Sequence, residues 1–138
     1  MIMVDDMILP AEWAPQSGVQ LTWPHEGTDW KDLLNEVYDC YYRMAATIAK
    51  REPLIIVTPH PQAVSDRLLR RIPTSYRAMV RFIDCSTNDT WARDHAFITM
   101  TGKDGDFRLL DFRFNGWGMK FAANFDNLIN RHIFNSSK

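Results

Sequence analysis

The chain has 138 residues, 46% of them hydrophobic, which suits one domain with a buried core. Its 16 basic and 17 acidic residues leave a net charge near −1, without the clustered positive surplus that nucleic acid or anionic membranes attract. No apolar run has the length of a membrane span, and acids near the amino terminus argue against an export signal. Cys40 and Cys85 form neither a disulfide framework nor a metal-ligand spacing, so we expect a cytoplasmic protein.

The first half of the chain alternates strand and helix patterns. GVQLTWP, residues 18–24, predicts a short strand that ends at proline. After the loop HEGTD, the run TDWKDLLNEVYDCYYRMAATIAKRE, residues 28–52, predicts a helix capped by Thr28 or Asp29. Its apolar face is predicted from spacings of three and four residues at Trp30, Leu33, Leu34, Val37, Tyr41, Met44, Ala45 and Ile48.

A buried strand and a second helix come next. LIIVT, residues 54–58, is apolar and β-branched and therefore predicts a buried strand. Pro61 suits the first turn of a helix, and apolar residues recur after it at Val64, Leu68 and Ile72.

The second half contains a third strand, a hairpin and a last helix. AMVRFID, residues 78–84, predicts the strand, and AFITM and FRLLDFRF predict a hairpin around the DG pair of TGKDGD. NFDNLINRHIF predicts the helix, with an apolar face made by Phe125, Leu128, Ile129 and His132. This order indicates an α/β chain with mixed sheet pairing.

The loop NDTWARD, residues 88–94, carries an unusual set of polar and aromatic side chains. The Asp94 carboxylate matches the edge of a guanidinium, and the Trp91 indole attracts cations. The alternative is structural: Asp94 pairs with Arg93 or Arg113, or caps a turn, and Trp91 packs in the core. Asn88 and Asp89 are expected to brace the turn through side-chain to backbone bonds.

A second loop, Asn115 to Gly118, places Trp117 between two glycines, which suits either a pocket wall or a crossing of two elements. The four histidines are scattered and show neither a metal-ligand pattern nor an oriented base. Cys85 and Cys40 are each expected to be buried structural thiols, because no histidine is paired with them in the sequence.

Three segments, in this order, resemble the amino-terminal part of agmatine deiminases, which belong with the bacterial-type peptidylarginine deiminases in the guanidino-group-modifying superfamily. They are LPAEWAPQSGVQLTWPH, NDTWARD and DFRFNGWGMKF. The resemblance covers residues 1–134 as the amino-terminal portion of a deiminase domain, whereas the tail 135–138 matches no part of it. It implies a five-bladed α/β propeller of ββαβ units, of which this chain would hold an incomplete part.

The resemblance also implies a reaction. Agmatine is hydrolysed to N-carbamoylputrescine and ammonia in putrescine biosynthesis, through a cysteine thiouronium and without a metal or other cofactor. By motif, Asp94 is the guanidinium-gripping carboxylate and Trp91 lines the substrate slot, with Trp117 as a further candidate and Arg93 in support of the loop. The partner is then a small guanidinium compound, and a homo-oligomer is one option for the assembly.

Two departures from the family are visible. His95, Ala96 and Phe97 stand where relatives often have a small residue, glycine and proline. The family's H-x-D or H-x-E segment and its glycine-rich cysteine segment have no counterpart here, so we expect the isolated chain to be inactive. We also expect it to be poorly soluble, self-associating or partly unfolded. The rival interpretations are a peptidylarginine deiminase, a non-catalytic guanidinium-binding module, and a small α/β domain with a structural ion-pair loop.

Overall fold

A parallel three-stranded sheet organises the computed structural model, which describes residues 7–136. The strands are β1 (Val19–Thr22), β2 (Leu54–Thr58) and β3 (Val80–Asp84), in the order β1-β2-β3. All three agree with the sequence-based predictions. Met1 to Asp6, which carry part of the export-signal argument, lie outside the described residues, as do the last two residues of the tail.

Helices α1 (Leu34–Ile48) and α2 (Pro61–Leu68) connect these strands. Pro61 occupies the first turn of α2, as predicted. The cap predicted at Thr28 or Asp29 is wrong. The Thr28 hydroxyl donates to the His25 carbonyl (2.8 Å) and accepts from the His25 amide, so this segment forms a turn and α1 begins only after the short 3₁₀ helix Lys31–Leu33.

The second half contains α3 (Ala92–His95), β4 (Ile98–Thr101), β5 (Phe107–Leu110), α4 (Gly116–Met119) and α5 (Asp126–Asn135). Strands β4 and β5 pair antiparallel, which confirms the predicted hairpin. Parallel and antiparallel pairs therefore occur in two separate sheets, and neither closes on itself within the described residues. No helix between residues 7 and 136 is long and apolar enough to cross a membrane.

One side of the parallel sheet packs against α1 and α2. Leu54 and Ile56 of β2 lie in this core beneath the fully buried Trp23. The predicted face of α1 is partly wrong, because Leu33 and Met44 are exposed. The Trp23 ring packs against three tyrosines of α1, and this contact turns a neighbouring face of the helix inward. Those rings are Tyr38, Tyr41 and Tyr42.

The other side of the sheet packs against α5, so that helices cover both faces. Val57 and Ile83 contact Ile129 and Ile133 in this second core. The predicted face of α5 is largely wrong. Phe125 and Leu128 are exposed, whereas the buried residues of this helix are Asp126, Ile129, Asn130 and Ile133. Two polar side chains replace the expected apolar ones because they hold loops, as described next.

Candidate functional site

The candidate site lies beyond the carboxyl end of β3. Asp84 ends this strand, and residues 85–91 lead from it into α3, which carries Asp94. In open parallel sheets, ligands bind outside the carboxyl ends of the strands, where connecting loops project from a rigid sheet. The motif loop occupies that position.

The carboxylate of Asp89 joins both aromatic candidates. Its Oδ1 accepts hydrogen bonds from the backbone amides of Thr90 and Trp91, the latter at 2.9 Å. Its Oδ2 accepts one from the indole Nε1 of Trp117, at 2.7 Å. Asp89 therefore makes the predicted brace of the turn and also ties Trp117, 28 residues further along the chain, to the loop that carries Trp91.

The two glycines that flank Trp117 differ in their surroundings: both have a left-handed backbone, but only Gly116 also lacks room for a side chain. Gly116, Trp117 and Gly118 all have left-handed backbone conformations, with φ of 62°, 60° and 76°. A side chain at position 116 would also place its Cβ 2.0 Å from the carbonyl oxygen of Phe121. Trp117 remains 46% exposed, which fits a pocket wall better than a buried crossing of two elements.

Asn88 and Asp126 bind each other's backbone. Asp126 Oδ1 accepts from the amides of Asn88 (2.7 Å) and Asp89 (3.2 Å). In return, Asn88 Oδ1 accepts from the amides of Phe125 (2.8 Å) and Asp126 (3.4 Å) at the start of α5. Asn88 was predicted to brace its own turn, but its side-chain oxygen binds the start of α5 instead, and Asp126 was missed. The only available signal was the spacing of Asp126, Ile129, Asn130 and Ile133, the buried stripe of this helix.

Asp94 differs from the other acids of the loop. It is exposed, and among residues 7–136 its carboxylate has no hydrogen-bond or ion-pair partner. Neither Arg93 nor Arg113 pairs with it, so the structural ion-pair interpretation finds no support. Its backbone amide donates to the Trp91 carbonyl (2.9 Å), and the Trp91 side chain is 57% exposed. A carboxylate and an indole are thus both available to a cation.

Arg93 does not make the supporting contacts that were predicted for it. In the described part of the chain its guanidinium has no hydrogen-bond or ion-pair partner, and it lines a cavity of about 360 Å³ with Gln16, Gly18 and Phe97. Successive residues of a helix point roughly 100° apart, so α3 directs Arg93 and Asp94 to different sides.

A scan against protein-family models matches residues 8–138 to the Porphyromonas-type peptidyl-arginine deiminases. The chain belongs to this family. Curated relatives include the agmatine deiminases of Stutzerimonas stutzeri, 29% identical over 116 residues, and Pseudomonas savastanoi pv. phaseolicola, 29% identical over 114 residues. These alignments cover 84% and 83% of this chain but only 30% of each relative, so the chain spans about a third of their length.

Solved structures of the family are similar in fold. A Porphyromonas gingivalis protein proposed to be an arginine deiminase is 44% identical, with a TM-score of 0.79 over 95% of this chain and 37% of its own. A cysteine-to-serine variant of C. jejuni agmatine deiminase, solved with substrate bound, is 31% identical. Its TM-score is 0.80, over 94% of this chain and 36% of its own. The architecture described here is therefore the one this part of the deiminases adopts.

Of the two cysteines of this deiminase-family chain, the buried Cys85 is poorly suited to nucleophilic catalysis. Burial raises the pKa of Cys85 to about 11, and its thiol donates to the Ser86 carbonyl (3.3 Å). A thiol with this pKa is almost entirely protonated at neutral pH. Cys85 is thus a buried thiol, as predicted, whereas Cys40 is exposed, contrary to prediction, because α1 turns a different face inward.

Two histidines support the loops of the site. His95, next to Asp94, is buried and shares a hydrogen bond between its Nε2 and the Thr22 hydroxyl (2.9 Å). His25 accepts from the Gly27 amide at Nδ1 (3.1 Å), so its Nε2 donates to the Thr87 hydroxyl (3.0 Å). Burial lowers the pKa of both side chains, which favours the neutral form. Across residues 7–136, no three His, Cys, Asp or Glu side chains are grouped as a metal ion would need.

Proposed function

We propose that this chain supplies the first half of the guanidinium clamp of an agmatine deiminase-type enzyme, a hydrolase that acts on C–N bonds of linear amidines. The observation that carries the proposal is that the motif loop and α3 present two exposed side chains three residues apart: the Trp91 indole, and the Asp94 carboxylate, which has no partner among residues 7–136. The names of the curated relatives, and the substrate bound in the C. jejuni variant, support agmatine as the substrate.

The geometry explains how these residues would act on a guanidinium. A carboxylate at the edge of the planar cation accepts two parallel charge-assisted hydrogen bonds and so fixes its orientation. An indole face beside it adds about 0.5–2 kcal/mol of cation–π attraction, more when water is excluded. The Trp117 indole and the Trp91 backbone amide both bond to the Asp89 carboxylate, so the Trp117 ring and the backbone that carries the Trp91 ring are held before the ligand arrives. Such preorganisation aligns the guanidinium carbon for a nucleophile.

The complete reaction needs groups that the described residues do not provide. Cys85 is protonated and buried, so the thiolate that would attack agmatine belongs to the rest of the enzyme in this proposal. The proton-transferring histidine, the second gripping acid and the remaining part of the five-bladed propeller belong there too. Removing the nucleophile from a site that works as a unit costs on the order of a million-fold in rate. The isolated chain should therefore bind agmatine weakly and release no ammonia. The cytoplasmic location and a homo-oligomeric assembly remain parts of the proposal.

The first test is agmatine binding by the purified chain, followed through the indole N–H signals of ¹⁵N-labelled tryptophan. We expect saturable shifts at Trp91, with Asp94→Asn weakening the apparent affinity roughly tenfold or more, because the shape is kept and the charge is lost. Asp104→Asn, in the exposed turn of the hairpin, is the matched control. Equal shifts in Asp94→Asn and the control would refute the clamp, and ammonia release by the chain alone would refute the assignment of the nucleophile to another segment.

Two alternatives are distinguished by the same titration. The family description favours peptidylarginine as a substrate class, so N-acetyl-arginine amide is compared with agmatine. A preference for the blocked arginine would favour the peptidylarginine interpretation. The high pKa of Cys85 favours a non-catalytic guanidinium-binding module. Tight binding by the chain alone, at micromolar agmatine, would support that module, because half a clamp in an open site should not achieve it.

A further inference from the structure

We propose that Asp126 is a positioning residue of the guanidinium site, acting as a buried hydrogen-bond acceptor that fixes the loop between β3 and α3. The inference rests on the proposed function, because the loop it positions carries Trp91 and leads to Asp94. Asp126 touches no part of the candidate cation site itself. It acts from the first turn of α5, through the backbone of residues 88 and 89.

The contacts of Asp126 form one half of a reciprocal clasp. Its Oδ1 accepts both loop amides, and Asn88 Oδ1 accepts the two amides at the start of α5. Four backbone N–H groups are thereby satisfied by two side chains. The side chain of Asp126 is fully buried, and no other acceptor for those loop amides is found in the described part of the chain. Buried N–H groups without acceptors are costly, so the loop path depends on this carboxylate.

The clasp extends to both aromatic walls. Asp89, whose amide is held by Asp126, uses its own side chain to hold the Trp91 amide and the Trp117 indole. A shift of residues 88 and 89 would therefore move three connected parts: the indole of Trp91, the indole of Trp117 and the turn that leads to Asp94. A displacement of about 1 Å in positioning groups costs up to roughly a hundredfold in function.

The second oxygen of Asp126 makes the role testable. Oδ2 is buried and has no hydrogen-bond partner among the described residues, so only one oxygen is used. An amide carbonyl can accept the same two bonds, so Asp126→Asn should preserve the clasp. Its buried NH₂ group, without an acceptor at the Oδ2 position, should lower the stability without moving the loop. Asp126→Ala removes the acceptor. Asn88→Ala removes the opposite half of the clasp at a half-buried position and leaves the core of α5 intact.

The experiment compares wild type, Asp126→Asn, Asp126→Ala and Asn88→Ala, with Asp104→Ala on the hairpin turn as the matched control. The readouts are the five indole N–H signals, assigned by Trp→Phe variants, and the agmatine titration. We expect Asp126→Asn and the control to resemble wild type. In Asp126→Ala and Asn88→Ala, the Trp117 signal should move toward its unfolded position and the agmatine response should weaken roughly 10- to 100-fold. The signal of the buried Trp23 should stay in place and so report an intact core.

Each outcome decides one question. Unchanged Trp117 signals and agmatine responses in folded Asp126→Ala and Asn88→Ala would overturn the proposal. Damage by Asp126→Asn equal to that by Asp126→Ala would also overturn it, because the charge and not the acceptor would then matter. If Asp126→Ala loses the Trp23 signal as well, it has unfolded, and Asn88→Ala decides. If wild type shows no agmatine response but Trp117 still moves in the variants, the clasp stands and the proposed function fails.

Discussion

Asp89→Asn should break one hydrogen bond of the site and keep two. The carboxylate uses Oδ1 for the amides of Thr90 and Trp91, and Oδ2 for the Trp117 indole. An asparagine has a single carbonyl oxygen, which can retain the backbone bonds. Its NH₂ group then faces the indole N–H, and two donors cannot bond. The substitution therefore removes the bond that holds the Trp117 indole and leaves the bonds that hold the turn at Thr90 and Trp91.

The free energy expected for the Asp89–Trp117 hydrogen bond depends on how far water reaches it. Hydrogen bonds to charged groups are worth about 1.5–3 kcal/mol. Since the Trp117 side chain is 46% exposed, water screens the contact, and we expect about 1 kcal/mol. Trp117→Phe removes the same bond from the other side. Its left-handed backbone strains Trp and Phe alike, so the strain cancels in the comparison.

A double-mutant cycle measures this bond. The free energy of unfolding is obtained from urea titrations of wild type, Asp89→Asn, Trp117→Phe and the double variant, with circular dichroism as the signal. We expect a coupling energy of about 1 kcal/mol, with the double variant no less stable than Trp117→Phe. Strictly additive effects, with coupling below about 0.3 kcal/mol, would refute the view that Asp89 holds Trp117 in solution.

Two further predictions concern stability. Gly116→Ala should destabilise the fold by more than about 3 kcal/mol in urea titrations, because its Cβ would meet the Phe121 carbonyl; Gly118→Ala, with a similar φ but open space, should cost only about 1–2 kcal/mol. Similar losses of stability in Gly116→Ala and Gly118→Ala would contradict the steric explanation for Gly116. Lowering the pH through 6.5 should destabilise the fold by up to about 1.4 kcal/mol per pH unit for each of His25 and His95. Burial lowers both pKa values in the folded state, so the unfolded chain binds these protons at a higher pH than the folded chain does. If His95→Gln lost stability with falling pH as steeply as wild type, His95 would not contribute to the pH dependence.

Local sequence patterns predicted the parts of the fold whose cause is local. β2 is a continuous apolar, β-branched run that is buried on both faces, and β4 and β5 surround a turn with a DG pair. The start of α1 was missed because Thr28 makes its hydrogen bonds with His25 and so forms a turn of its own. A capping residue and a turn residue have the same side-chain chemistry, and only the surrounding contacts separate them.

The face of α5 could not be predicted because its cause is distant in sequence. Asp126 and Asn130 are buried since they bind backbone groups of residues 88, 89 and 95, which lie 35 to 38 positions earlier. Hydrophobic periodicity assigns polar residues to the solvent side, and that rule fails where a helix supports a functional loop. The motif loop itself was predictable from residue types, whereas the residues that hold it were visible only in three dimensions.

The acids around the loop divide into two groups by what their oxygens do. Asp89 accepts three N–H groups on its two oxygens, and Asp126 accepts two on Oδ1, all from donors within the described residues. Asp94, which directly precedes His95 in α3, accepts none within the described residues. Because the Asp94 side chain is exposed, an external donor can reach its oxygens without first displacing an internal one. In the guanidinium clamp proposed above, the Asp94 carboxylate would accept from the planar cation and the exposed Trp91 indole would contact its face, while Asp89 and Asp126 hold the loop that carries Trp91 and leads to Asp94.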